Sequence, residues 1–194
     1  MIRRALTALG AALALLTAAS ISDASRAPAF AEENICEAEM IRAAATHDVP
    51  LAVLFAVGLT ETGRRGNLHP YALNIAGRSY FGESRADALA TFEAERARGV
   101  KLIDVGCMQI NHYWHGEQFS SVAEMFDPVK NVEYAALFLK RLRARHGNWT
   151  LAVARYHAGP RNTPAQKRYV CAVIRHMVSS GMGAWTPNAR AFCG

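Results

Sequence analysis

The residue type with the clearest chemical potential is a carboxyl group at the end of an apolar run. Glu61 follows Val53-Leu54-Phe55-Ala56-Val57-Gly58-Leu59-Thr60. Ionising a carboxyl beside such a segment is costly unless it reaches water or a hydrogen-bond donor. Desolvation raises its pKa, and the negative end of a helix acts in the same direction. Both effects favour an acid that still holds its proton near neutral pH, which is what general-acid cleavage of a glycosidic bond requires. The competing reading is structural: Glu61 is the first solvated residue as a helix leaves the core.

Other groups can be weighed the same way. Gln109 is polar among apolar neighbours and is a candidate for a site, whereas Met108 reads on composition as core. Tyr156 and Tyr169 read as aromatics with a buried ring and an accessible hydroxyl. Asp104 has two readings. One is a second carboxylate, which would point to a hydrolytic mechanism. The other, favoured by local capping chemistry, is a turn or helix-start residue bonding backbone amides. His112 and His115 are three apart, a spacing that shares a helical face, but no third ligand stands near them. Surface or cleft histidines are expected, with no metal and no cofactor. Cys36, Cys107, Cys171 and Cys193 contain no C-x-x-C pair, which argues against zinc and redox chemistry. An even number in an exported chain suggests two disulfides, and three pairings are open.

Taken in order, Glu61-Thr62, Gly106-Cys107-Met108-Gln109, Ala154-Arg155-Tyr156-His157-Ala158-Gly159 and Tyr169 resemble the motif set of the family 1 lytic transglycosylases. Each motif alone is weak, but the ordered set spans most of the chain. The resemblance implies a goose-type lysozyme-like fold with a cleft for peptidoglycan glycan strands. It implies that Glu61 acts first as acid and then as base, closing a 1,6-anhydro ring on MurNAc without water. It further implies that Tyr169 orients the Glu61 carboxyl. Thr62, Met108, Gln109, Tyr156 and His157 fall at positions that contact substrate or shape the cleft. Thr62 replaces the usual Ser, Cys107 the usual Leu and His157 the usual Asn. A disulfide at Cys107 would brace the second motif from behind, and His157 is able to titrate in the working pH range. The resemblance suits general wall turnover and local wall opening for a secretion, pilus or flagellar assembly. Two rivals are a hydrolytic muramidase and a non-catalytic wall-binding accessory protein.

The elements that must position these residues are mostly helical. The spacing predicts a helix from about Cys36 to His47, with Ile41, Ala44 and Ala45 on its buried side. After Asp48-Val49-Pro50, Leu51 to Leu59 is apolar on every face and should form the buried centre, with Gly63 as its stop. His69 to Ile75 and Ser79 to Phe81 read as strands about an Ala76-Gly77 turn. A helix should start at Ser84, with Asp87 three residues on, and end near Gly99. Lys101 to Val105 reads as a third strand leading into a strand-to-helix junction. Helices then follow: Ser121 to Phe126, Asp127-Pro128 to Gly147, Trp149 to His157, and a last long one from Thr163-Pro164. The stripe of the second comprises Val129, Val132, Ala136 and Leu139, and the last carries Tyr169, Val173 and Met177. The expected class is α+β, mainly α, a lysozyme-like single domain with a small β element between helices.

The first residues have a secretory layout. Arg3 and Arg4 precede an apolar run from Ala5 to Ala19, and Ala29-Phe30-Ala31 fits an A-x-A cleavage site. The expectation is a signal peptide over 1–31, a domain over 32–194 with no separate wall-binding module, a periplasmic location and no stable membrane insertion after cleavage. Loss of three cations and one anion with the leader turns a formal charge of +6 into +4. Such a mild excess suits an anionic surface such as a cell wall. It lacks the clustered basic stripe of a nucleic-acid partner.

Overall fold

The computed structural model describes residues 34–63 and 67–194. The expected leader and its cleavage point at Ala31 lie outside the described residues.

The most apolar segment forms α2 (Leu51–Thr62) and is surrounded, with Val53, Leu54, Ala56, Val57 and Leu59 buried. Around it stand α1 (Ile35–His47), α6 (Pro128–His146), α7 (Trp149–His157) and α8 (Thr163–Ser179). α2 packs on α1 and α8, while α6 joins α1 to α7. Side chains that satisfy free backbone N–H groups set the helix starts. Asn34 caps α1, Asp127 caps α6, Asn148 caps α7 and Asn162 caps α8. Gly63 closes α2 as expected, donating to Leu59 O at 3.0 Å, but at φ −57° it is not a left-handed cap.

α1 turns a different face inward from the one the sequence suggested. Cys36, Met40, Ala43 and Ala44 are buried, whereas Ile41 is 55 % exposed and Ala45 is also exposed. Positions 36, 40 and 43–44 follow the helical repeat, and Ile41 lies about 100° round from Met40. A disulfide from Cys36 to Cys107 holds that face in. In α6, Val132, Ala136 and Leu139 are buried, with Val129 half-buried in the first turn.

The β element is a four-stranded antiparallel sheet in the order β2-β1-β3-β4. Its strands are β1 (Ala72–Ile75), β2 (Arg78–Phe81), β3 (Ile103–Val105) and β4 (Ile110–Asn111). β4 was not expected, so the Gly106 motif forms the turn between two strands rather than a strand-to-helix junction. α3 (Arg85–Ala97), capped by Ser84, spans β2 to β3 and buries Ala88 and Phe92. Alternation along the strands buries Leu73, Ile75, Ile103, Val105 and Ile110 on one face. The other face carries Asn74 opposite Asp104, and Asp104 opposite Asn111.

Short pieces complete the chain: α4 (His112–His115), a 3-10 turn (Gly116–Gln118), α5 (Val122–Met125) and α9 (Pro187–Cys193). α9 is tied to α8 by the Cys171–Cys193 disulfide. The architecture is mainly α with one small sheet, an α+β fold of lysozyme-like type. Among the described residues, no helix is long and apolar enough to cross a membrane.

Candidate active site

Glu61 occupies the last turn of α2 and is partly buried. The Tyr169 hydroxyl, from α8, donates to its Oε1 at 2.5 Å. Burial pushes the carboxyl pKa from 4.5 up to about 8; the Tyr169 hydrogen bond opposes this, and the negative charge of Asp104 adds to it. At neutral pH Glu61 is therefore mostly a neutral acid. With Oε1 taken by Tyr169, Oε2 is the oxygen left to carry the proton.

The β3–β4 turn faces it. Gly106 has φ +79°, and a Cβ there would lie 2.6 Å from Asn131 Nδ2, so only glycine fits. Asn131 is fully buried. Its Nδ2 donates to Val105 O and Met125 O at 2.8 and 2.9 Å, and its Oδ1 accepts from Met108 N at 2.8 Å. This one amide fastens the turn to α6. Sequence reasoning missed it, because a lone Asn inside a helical stripe looks like any surface residue. The Cys36–Cys107 disulfide fastens the same turn to α1, which answers the pairing question and gives Cys107 the bracing position expected of it.

Gln109 sits at φ +47°, a left-handed conformation that strains a residue with a Cβ. That twist brings Nε2 within 3.1 Å of both Ala72 O and Gly106 O. The amide nitrogen is thus spent on the backbone, and Oε1 is the atom Gln109 can offer a sugar hydroxyl. Tyr156 donates its hydroxyl to Met108 O at 2.8 Å. Burial, aided by the Glu61 charge, raises the pKa of Tyr156 and Tyr169 well above the usual phenol value. His157 stacks flat on Tyr169, with centroids 4.3 Å apart and planes at 4°. Burial, then Arg168, lowers its pKa, which favours the neutral imidazole.

Two expected site residues point elsewhere. Thr62 is buried, its Oγ1 lying 3.1 Å from Cys107 O and 3.2 Å from Gly58 O. It ties α2 to the β3–β4 turn and is not placed for substrate contact, because one step along a helix turns the side chain about 100° away from Glu61. Met108 is fully buried and is core, as composition alone suggested. Its sulfur packs towards Gly58, where an added Cβ would meet it at 3.3 Å and Met40 Cε at 2.4 Å. What Met108 contributes near the site is a backbone carbonyl.

Asp104 also departs from the favoured reading. It neither caps a helix nor bonds backbone amides. It lies mid-strand and accepts from Asn74 Nδ2 at 3.0 Å and Asn111 Nδ2 at 2.6 Å, one amide on each oxygen. Burial raises its pKa and the two amides pull it back.

These groups share one groove of about 310 Å³. Glu61, Tyr156 and His157 lie on its helical side, and Asn74, Asp104, Gln109 and Asn111 on its strand side. Leu102, Ile110, Trp114, His115 and Phe138 complete the lining, none of them singled out from sequence as substrate contacts. His115 is held by Tyr134, with Nδ1 2.9 Å from the hydroxyl. His112 turns away and packs edge-on against Phe92 at 4.9 Å. Among the described residues no group of three or more His, Cys, Asp or Glu could hold a metal. A larger cavity of about 490 Å³ between α8 and α9 is walled by Ile174, Met177, Val178 and Phe192 and has no titratable lining residue. The groove with Glu61 is where chemistry is available.

The family model for the transglycosylase SLT domain matches residues 40–175, a stretch that holds every groove residue named above. The chain belongs to the transglycosylase SLT domain family. A lytic transglycosylase-type function on peptidoglycan goes with that membership. No curated protein and no solved structure matches the chain.

Proposed function

We propose that the protein is an exported, periplasmic lytic transglycosylase that cleaves the MurNAc–GlcNAc β-1,4 bond of peptidoglycan, with Glu61 as its one acid/base. The observation that carries this reading is a protonated carboxyl, oriented by Tyr169, at the wall of a polar groove. Glu61 gives its Oε2 proton to the glycosidic oxygen as the C1–O4 bond breaks. The MurNAc O6 then bonds to C1, and its proton goes to the Glu61 carboxylate. One bond is exchanged for another, the acid is restored and no water enters. Tyr169 keeps the carboxyl aimed through both steps. Local wall opening for a secretion, pilus or flagellar assembly is the biological setting we favour, and the secretory layout of residues 1–31 supports export.

One observation favours a second reading. Asp104 lines the same groove, and paired carboxylates serve hydrolytic glycosidases. Mass spectrometry of digested peptidoglycan separates the two. We expect 1,6-anhydro-MurNAc ends from the wild-type protein and no products from Glu61→Gln. Only hydrated, reducing ends would make the protein a muramidase. Equal digestion by both proteins would remove Glu61 from the mechanism, and none by either would leave a wall-binding accessory protein. Export is checked separately: the protein recovered outside the cytoplasm should begin at Glu32.

A further inference from the structure

Trp114 is 70 % exposed, more than any other large apolar side chain among the described residues, yet it lines the groove. With Tyr113 packed against it and Leu102 in the same groove, both about half exposed, it belongs to an exposed apolar patch rimmed by polar groups, the kind of surface that marks a binding groove. Its mounting is specific. Asn111 Oδ1 accepts from Tyr113 N at 3.1 Å and Trp114 N at 3.3 Å, which sets the first turn of α4. The same Asn111 donates to Asp104 Oδ1 from its Nδ2 at 2.6 Å. The Trp114 backbone is thereby tied to the polar row on the strand side. Tyr113 packs edge-to-face against the indole, with centroids 4.6 Å apart at 87°, favouring one orientation. Leu102, itself 48 % exposed, lines the same groove.

A surface that pairs an exposed indole with fixed amide and carboxyl groups matches a pyranose. The sugar has a C–H face to lay on the ring and hydroxyls and an acetamido group at its rim to bond the polar row. An acyl chain or an apolar peptide would cover Gln109 Oε1 and the remaining lone pairs of the Asp104 oxygens without bonding them, at a cost.

We propose that Trp114 is the stacking platform of a saccharide subsite on the strand side of the groove, taking one N-acetylated pyranose of the glycan strand. The proposal rests on the glycan-cleaving reading above and concerns grip on the strand, not bond cleavage.

The test uses chitotetraose, a soluble β-1,4 strand of N-acetylglucosamine without stem peptides, bound calorimetrically to Glu61→Gln protein with and without Trp114→Ala or Trp114→Phe. We expect Trp114→Ala to weaken binding about tenfold or more, and Trp114→Phe, which keeps a ring, to remain within about threefold. On peptidoglycan, Trp114→Ala in the otherwise wild-type protein should raise KM and leave kcat nearly unchanged. Because Trp114 is exposed, its unfolding temperature should match the parent's, and a matched fold makes any loss of binding local. Parent-like binding by Trp114→Ala overturns the proposal, as does a parent that does not bind chitotetraose. If wild-type protein releases anhydro ends while Trp114→Ala keeps the wild-type KM, the platform fails and the catalytic reading stands. If no products form but chitotetraose binds through Trp114, the reverse holds.

Discussion

The two walls of the groove hold their carboxyl groups in opposite ways. On the helical wall, Glu61 ends an apolar helix, and a single phenol donates to it. On the strand wall, Asp104 sits in a row of polar side chains and each oxygen has its own amide. Burial raises both carboxyls, and it takes Glu61 to about 8. Burial is the largest influence on each, but two amides oppose it at Asp104 where one phenol opposes it at Glu61, which sets a group that can pass a proton apart from one that holds a shape. The comparison predicts a helical wall that does chemistry and a strand wall that grips.

The largest effect expected is on Glu61. Glu61→Gln keeps size and the Tyr169 contact but removes the proton, and it should cut anhydro-product formation by about a thousandfold, within the range of general-acid catalysis. Initial rates of product release on purified peptidoglycan measure it. A loss under tenfold would place the proton donor on the other wall.

Next come the covalent ties. Cys36–Cys107 closes 71 residues of chain and fastens the strand-wall turn to the helical body, whereas Cys171–Cys193 closes 22 and holds only α9. Chain-entropy reasoning gives about 4 kcal/mol for the first and about 3 kcal/mol for the second. Paired Cys→Ser variants followed by urea unfolding should show that order. More usefully, activity should fall with the first pair and hold with the second. Equal activity in both would mean the turn needs no tie to α1.

A third difference concerns pH. The Glu61 pKa is 4.5 in the unfolded chain and about 8 in the fold. Below pH 4.5 both states are protonated. Between 4.5 and 8 the unfolded chain has released the proton while the folded chain holds it, so stability falls as pH rises across that window. Glu61→Gln removes this slope. Urea midpoints at pH 5 and pH 8 should therefore lie closer together in the variant than in the parent. Parallel slopes would deny that burial raises Glu61.

Much of the helical wall was legible in the sequence, because its signals are local. Asp127-Pro128 marks the start of α6 by backbone capping, and the apolar run before Glu61 announces a buried helix. The strand wall was legible only in part. Asn74 lies 30 residues before Asp104, and Asn111 follows across a turn between two strands, so only the register of three strands aligns them. Asn131 acts across 23 residues on the Met108 amide, which no local pattern reveals. Thr62 and Met108 were misplaced for a different reason. Motif membership does not imply exposure: the helical repeat puts Thr62 on the Gly58 face, and Met108 is core. α9 has a Thr186 cap followed by Pro187, but at seven residues it is too short for a repeat to show.

The remaining predictions probe how Glu61 is tuned. The Tyr169 hydrogen bond lowers the Glu61 pKa. Tyr169→Phe should therefore move the alkaline limb of the kcat/KM profile upward while reducing kcat about tenfold or more, because the carboxyl loses its aim. An upward limb with undiminished kcat would reduce Tyr169 to a charge effect.

The smallest shift is expected across the groove. The Asp104 charge raises the Glu61 pKa, after burial and the Tyr169 bond in size. Asp104→Asn removes the charge, so the alkaline limb should move downward, opposite to Tyr169→Phe. The substitution also replaces one oxygen acceptor by a donor facing Asn74 or Asn111, so the polar row must rearrange and KM should rise. If Asp104 only grips and tunes, kcat at low pH, where Glu61 is protonated in both proteins, should stay within about threefold of the parent. If kcat instead collapses at every pH, Asp104 takes part in bond cleavage. The two walls would then form a carboxylate pair, and the products of the wild-type protein should carry reducing ends.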